Sequence, residues 1–423
     1  MINIRDLHIE RDILPLFDYT CNDFSRGVLT DLFRTPLPSA ADILHRQEII
    51  KGMLKNWKVL ESYSYARGDL MEVHQLCKSV EHMEESSRIG LMLNSSTRQQ
   101  LQTRLTQFIL FMHRLYNRYF SLLHADAFPP DFGRKIAYIP GMLARFNLHR
   151  YEELNREGKF GTTHMVALLK ILKRELTVEN NTAFWDHLFT FEAYLSMATG
   201  VQRHQFVFPE MDAQGRFELK GFYHPLLQQP VKNDLVTVTN VMLITGPNMS
   251  GKSTLLKAIG ICVYLAHVGV GVPAQSCIMP FFDCMTVAID LKDDLKKGYS
   301  HFKTEINTLK DVVRQAHDGK RCFAIFDELF RGTNPEDALE ISTTTIAGLS
   351  KFPHSRFFVS THLYALQNTL RPAAAAMGVY RMQCSLESGR PEFTYLLKNG
   401  WSDLRIGRII FEQEGLNGLL THP

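Results

Sequence analysis

At 423 residues the chain is longer than a single hydrophobic core usually organises, and two domains are expected. Its apolar content of 45% and charged content of 22% are ordinary for a soluble globular protein, while a formal charge of +3 permits a nucleic-acid partner without giving a strongly basic footprint. The seven cysteines are scattered, odd in number and free of C-x-x-C pairs, which argues against a disulfide framework or a zinc knuckle and for a reducing cytoplasm. Charge arrives too early after Met1 for a signal peptide. The most apolar stretch, Ala258 to Pro273, is shorter than the roughly 18 residues a membrane span needs and carries His267, so a soluble, cytoplasmic chain with no membrane partner is expected.

Residues 1–205 read as α-helical. Ser96-Thr97-Arg98-Gln99 has the form of a capping box, and Leu101, Leu105, Phe108, Met112 and Leu115 follow at helical spacing. Phe184, Leu188, Phe191, Leu195 and Ala198 make a second stripe, and both stripes are read as core. Arg98, Arg104, Arg114 and Arg118 are read as a solvated face, with phosphate contact as the alternative. Phe128-Pro129-Pro130-Asp131-Phe132-Gly133 is read as a turn that breaks the helical run.

From residue 206 onward the texture changes. Val236 to Thr245, Cys322 to Phe326 and Phe357 to Ser360 are short strand candidates alternating with helical segments, the pattern of a mainly parallel α/β sheet with ligands at the carboxyl ends of its strands. The expected organisation is therefore a helical domain over 1–205 and an α/β domain over 206–423.

Gly246-Pro247-Asn248-Met249-Ser250-Gly251-Lys252-Ser253 satisfies G-x-x-x-x-G-K-[ST] between a strand and a helix. Glycines there let the backbone curl its N–H groups toward phosphates, Lys252 reaches the β- and γ-phosphates, and the Ser253 hydroxyl ligates Mg²⁺. A second apolar strand ends in Asp327-Glu328. Asp327 is placed to hold the Mg²⁺ shell and Glu328 to act as general base toward the attacking water. A third strand ends in Ser360-Thr361-His362, where the imidazole is placed to hydrogen-bond the γ-phosphate or the water. The three motifs in this order imply ATP and Mg²⁺ as ligands and ATP hydrolysis as the reaction. Acidic residues at a strand end, or a lone histidine, would mean little without the glycine-rich loop.

Read together, these residues resemble the MutS group of ABC-type ATPases, best known for DNA mismatch repair. Gly246 to Thr254 is similar to the family's GPNMxGKST, and Asp327-Glu328-Leu329-Phe330-Arg331-Gly332-Thr333 to its DE-x-x-RGT. Asp293 to Phe302 resembles the DDL…GRSTF stretch, which implies that Ser300 reaches the γ-phosphate bound by the opposite subunit. Val272-Pro273-Ala274, His224-Pro225-Leu226-Leu227 and Asn233-Asp234 match in family order, and Leu32 to Leu37 with Arg46-Gln47 resembles the start of the helical core and lever domain. Tyr299, His301 and Lys303 replace the usual Arg, Thr and Met of the trans loop, and Phe330 replaces a small residue after the carboxylates. The family places an aromatic against adenine near Pro230-Val231 where this chain has none; Phe222 and Tyr223 are the substitutes considered.

The resemblance implies a core/lever domain followed by a P-loop ATPase domain, and a homodimer in which each loop faces the partner's Ser300 segment. The family's N-terminal mismatch-reading domain, with its Phe-x-Glu wedge, and its connector are expected to be absent, since the sequence begins at the helical core. It further implies a DNA partner in repair or recombination, recognised through structure or branching and not through a mismatch. The alternative is an ATP-driven switch acting on a protein or ribonucleoprotein. A transporter's nucleotide-binding subunit is disfavoured because a Leu-Ser-Gly-Gly-Gln signature is missing.

Overall fold

A computed structural model of the chain describes residues 2–80, 95–289, 301–330, 332–370, 377–387 and 390–402, together with positions 409, 411 and 420. The Asp293 to Ser300 segment, Arg331 and the Ala373 to Ala376 run lie outside the described residues. The chain divides into two compact units, one made of residues 16–35 and 45–203 and the other of 1–15, 36–44 and 204–423. The grouping differs from a single cut after residue 205. Ile2 and Asn3 pair in parallel with Met285 and Thr286, the Asp6 carboxylate accepts from the Ile289 amide at 2.8 Å, and the Leu37 amide donates to the His267 carbonyl at 2.7 Å.

The unit of residues 16–35 and 45–203 is built of helices. Asn22 caps Asp23–Arg34 by accepting from the Ser25 amide, and Pro130 opens Pro130–Ala144 in the first turn, where its missing N–H costs nothing. The expected turn at Phe128 to Gly133 thus ends at Pro129, and Asp131 to Gly133 are already helical. Both apolar stripes face inward. Leu105, Phe108, Met112 and Leu115 of Ser95–Arg118 are buried, with Leu101 half-buried, as are Phe184, Leu188, Phe191, Leu195 and Ala198 of Val178–His204. Arg114 and Arg118 are exposed, whereas Arg104 donates to the Ser79 hydroxyl at 3.3 Å.

Inside this unit lies a buried carboxylate, Glu192, 3% exposed. Its Oε1 accepts from the Tyr63 and Tyr65 hydroxyls at 2.7 and 2.6 Å, and its Oε2 accepts from the Asn22 amide at 2.6 Å and from the Ser25 hydroxyl. Burial pushes the Glu192 carboxyl above its ordinary range, against the opposing pull of these donors. Because the hub joins an N-cap to two tyrosines, Glu192→Gln, which turns one acceptor into a donor, is expected to cost about 1–3 kcal/mol in urea unfolding. Unchanged stability would show that the hub contributes nothing net.

The other unit holds a seven-stranded and a four-stranded sheet. In the first, β1 (Ile2–Asn3), β7 (Cys284–Ala288), β8 (Cys322–Phe326), β9 (Arg356–Thr361), β5 (Val241–Thr245), β10 (Met377–Glu387) and β11 (Arg390–Asn399) lie in that order. Only the β10–β11 pair is antiparallel. β5, β7, β8 and β9 are buried along their whole length, as a sheet covered on both faces requires. In the second sheet, β2 (Glu210–Met211), β6 (Ser276–Met279), β3 (Phe217–Phe222) and β4 (Asn233–Thr237) follow one another.

The single strand expected from Val236 to Thr245 is in fact two, β4 and β5, one in each sheet. The break has a local cause: Val238 is 88% exposed, and the Asn240 side chain donates to the carbonyls of Leu349, Ser350 and Phe352. No helix among the described residues is long and apolar enough to cross a membrane, and all seven cysteines are free.

Candidate nucleotide site

The site gathers at the carboxyl ends of β5, β8 and β9, which are neighbours in the sheet although far apart in sequence. After β5 the backbone enters a loop with left-handed dihedrals at Gly246 (φ +148°), Met249 (φ +68°) and Gly251 (φ +92°). A Cβ at Gly246 would lie 3.0 Å from Ser250 Oγ and 3.3 Å from Met382 Cβ, and one at Gly251 would lie 3.1 Å from Tyr395 Cδ1. Both positions therefore need glycine for conformation and for space. The helix Lys252–Val268 begins at Gly251 without a side-chain cap, so its first-turn amides and the positive end of its dipole face the loop.

Lys252 is 5% exposed and folds back under the loop. Its Nζ donates to the Gly246 and Pro247 carbonyls at 3.0 and 3.1 Å and lies 3.8 Å from Glu328 Oε1. Burial lowers the Lys252 pKa, while the Glu328 and Asp327 carboxylates hold it up. Ser250 Oγ is buried and has no hydrogen-bond partner among the described residues. The loop thus contains an orphaned polar atom and an ammonium held by two loop carbonyls and the Glu328 carboxylate.

Ser253, Asp327 and Ser360 meet from three elements. The Ser253 hydroxyl donates to Asp327 Oδ2, and the Ser360 hydroxyl donates to Asp327 Oδ1 while accepting from the Glu328 amide at 2.9 Å. A hydroxyl against a carboxylate is a hard-oxygen donor pair of the kind that takes Mg²⁺ together with waters and phosphate oxygens. The residues present fit that ion.

Glu328 has a left-handed backbone (φ +53°), and so does Phe330 (φ +65°). A β-carbon disfavours this region, so the turn is held by its surroundings. Phe330 is 1% exposed and meets the Phe302 ring edge-to-face with centroids 6.1 Å apart, while Phe302 also flanks Gly332. The phenylalanine that replaces a small residue is accordingly the anchor of the turn carrying Glu328. His362 stands farther out: its Nδ1 is 3.9 Å from Glu328 Oε1 and its side chain is 47% exposed. Of the Ser360-Thr361-His362 group, Ser360 makes the direct contacts with Asp327 and the Glu328 amide, a role the sequence reading did not assign.

Two cavities adjoin the loop and share Gly251, Thr254 and Tyr395 in their walls. One, of about 500 Å³, is lined by Asn248, Met249, Lys252, Ser253, Asp327 and Glu328. Its neighbour, of about 350 Å³, is mainly apolar, with Phe222, Tyr223, Leu227 and Val231 in its wall. Tyr395, 46% exposed, stands between them. Its position follows from a bulge: Met382 pairs with Leu397 but Cys384 pairs with Phe393, so β11 carries extra residues there, and Tyr395 takes φ +57° among them. Asn233 pins the bulge by donating to the Tyr395 carbonyl at 3.1 Å and accepting from the Leu397 amide at 2.7 Å. Sequence reasoning missed Tyr395 because only the β10–β11 register brings it to the loop. Tyr223, in the same wall, also lies under the Lys232 ammonium at 5.8 Å, and Phe222 is buried.

The sequence profile of MutS domain V matches residues 242–416, which takes in the loop, Asp327-Glu328 and Ser360 to His362. A DNA mismatch repair protein MutS from Salinibacter ruber is 26% identical over 345 residues, covering 76% of this chain and 37% of that protein. These matches support a MutS-family member, with MutS domain V at residues 242–416. Similar proteins of the same name occur in Listeria monocytogenes serotype 4b, 30% identical over 220 residues, and in Staphylococcus saprophyticus, 32% identical over 216 residues. They cover 50% and 49% of this chain, which spans 25% and 24% of their lengths. The domain V match begins inside β5, so Phe222, Tyr223 and Asn233 precede it, whereas Tyr395 falls within it.

Proposed function

We propose that the chain binds ATP with Mg²⁺ at the Gly246 to Thr254 loop and hydrolyses it, and that it acts as a cytoplasmic MutS-like DNA-binding ATPase in repair or recombination. The observation that carries this reading is the convergence of Lys252, Ser253, Asp327 and Glu328 on one polar cavity at the end of the sheet. The loop amides and the helix start bind the phosphates, and Lys252 turns its ammonium from the Gly246 and Pro247 carbonyls toward the β- and γ-phosphates. Ser253 and Asp327 hold Mg²⁺, which when bound neutralises charge on the phosphate oxygens. Glu328 accepts a proton from the water that attacks the γ-phosphorus as the bond to the ADP oxygen breaks. Ser360 keeps Asp327 and the Glu328 amide in register, and His362 hydrogen-bonds the γ-phosphate or the water from the cavity rim.

The apolar cavity takes the adenine, with Tyr395 against the base. Stacking of a base on an aromatic ring is worth about 1–3 kcal/mol, so Tyr395→Ala is expected to weaken ATP binding by roughly 5- to 150-fold with little change in the turnover of bound nucleotide. Equilibrium binding of a fluorescent ATP analogue measures this, and an unchanged Kd would remove Tyr395 from the base site.

In the dimer, each loop is completed by Ser300 of the second copy acting in trans, and hydrolysis moves the helical lever. DNA is the favoured partner, recognised by structure through phosphate contacts. Binding of duplex and four-way-junction DNA across a salt series tests it, since phosphate contacts must weaken steeply as salt rises. Flat or absent binding favours the other reading, a switch that acts on a protein or ribonucleoprotein, which the near-neutral formal charge of +3 allows.

A further inference from the structure

We propose that His113, His149 and Glu152, in the helical unit and remote in sequence from the nucleotide motifs, form a binding site for a divalent transition-metal ion of the zinc class. One ligand atom from each lies within 4.8 Å of the other two. His113 comes from Ser95–Arg118, while His149 and Glu152 stand three residues apart on Leu148–Arg156 and so share a face of that helix. The two imidazoles are nearly parallel, at 6° with centroids 6.0 Å apart. The helices also meet at Thr106, whose hydroxyl lies 3.3 Å from Asn155 Oδ1, which fixes the distance between the two histidine-bearing faces.

Each imidazole already has an outer partner. His113 Nε2 lies 2.6 Å from the Asn117 side-chain amide, and His149 Nε2 lies 3.4 Å from Glu153 Oε1. A metal-bound histidine donates its second ring N–H to an acceptor such as Glu153, which orients the ring and raises its basicity; at His113 the Asn117 amide turns its oxygen to Nε2 when Nδ1 takes the metal. Tetrahedral coordination at about 2.0–2.1 Å brings neighbouring ligand atoms to roughly 3.3 Å, a contraction within reach of side-chain rotation where His113 and Glu152 are half-buried and His149 is exposed. Two imidazole nitrogens and a carboxylate oxygen favour Zn²⁺, Co²⁺ or Ni²⁺ over Mg²⁺ or Ca²⁺. The site is thus chemically distinct from the hard-oxygen pair at Ser253 and Asp327. Its effect is to clip Leu148–Arg156 to Ser95–Arg118, and any ion bound only by the folded state raises the stability of that unit.

The test uses the full-length, metal-stripped protein with any affinity tag removed, titrated with Co²⁺ and then with Zn²⁺. Expected are a saturable visible absorption at one Co²⁺ per chain, its displacement by Zn²⁺ but not by Mg²⁺, and a rise in Tm with Zn²⁺. Co²⁺ affinity should fall at least tenfold in His149→Ala and in His113→Ala, with the Zn²⁺-dependent Tm rise lost. His149 is largely exposed, so its variant is expected to fold as the parent does, and Tm without metal checks this. Absence of saturable binding, or binding unchanged by His149→Ala, would overturn the proposal and leave His149 as a partner of Glu153 only.

Discussion

Glu328→Gln is expected to bind ATP nearly as tightly as the wild type and to turn it over about 10²- to 10⁴-fold more slowly, the range that a positioned general base supplies. The amide keeps the size of the side chain and the backbone contact in which the Glu328 amide donates to Ser360 Oγ, so the turn is preserved while the proton acceptor is lost. Paired measurements of phosphate release and equilibrium ATP binding separate the two effects. A variant that hydrolyses at the wild-type rate would mean that another group takes the proton, with His362, whose Nδ1 is 3.9 Å from Glu328 Oε1, the nearest alternative base in this geometry.

Lys252→Ala is expected to weaken ATP binding by roughly 10- to 150-fold, since hydrogen bonds to charged groups contribute about 1.5–3 kcal/mol, and to abolish hydrolysis at ordinary nucleotide concentrations. The same change removes the donor to the Gly246 and Pro247 carbonyls, so the loop itself loses two internal hydrogen bonds. A thermal melt without nucleotide measures that structural part separately from the loss of affinity. Wild-type affinity in a stably folded Lys252→Ala protein would contradict the placement of the phosphates.

How much of this was legible in the sequence depends on whether the signal is local. β8 spans the residues its apolar run marks, Cys322–Phe326, because a strand buried on both faces must be apolar throughout. The loop glycines are legible for the same reason, since left-handed dihedrals and a close approach leave few alternatives. Where pairing or tertiary contact decides, the reading fell short. Val236 to Thr245 reads as one β-prone run, yet the three carbonyls that Asn240 binds divide it between two sheets. The edge strand at Ile2 and Asn3 is too short to carry a pattern and is visible only through its partner β7.

The site divides in the same way. Asp327 and Glu328 follow from a strand that ends in carboxylates, but the contacts of Ser360 with them rest on the adjacency of β8 and β9. Tyr395 reaches the loop through a bulge in a pairing between distant segments, which no motif announces. Phe330 reads in the sequence only as a departure from the family's small residue. In the fold its buried ring meets Phe302 and steadies the left-handed turn that presents Glu328.

Steady-state ATP hydrolysis by the wild type and by Glu328→Ala, each with and without duplex, single-stranded and four-way-junction DNA, tests the central claim most directly. The account predicts Mg²⁺-dependent hydrolysis that one DNA form stimulates and that Glu328→Ala loses in every condition. Hydrolysis absent from the folded wild type in all conditions, or undiminished in Glu328→Ala, would contradict it.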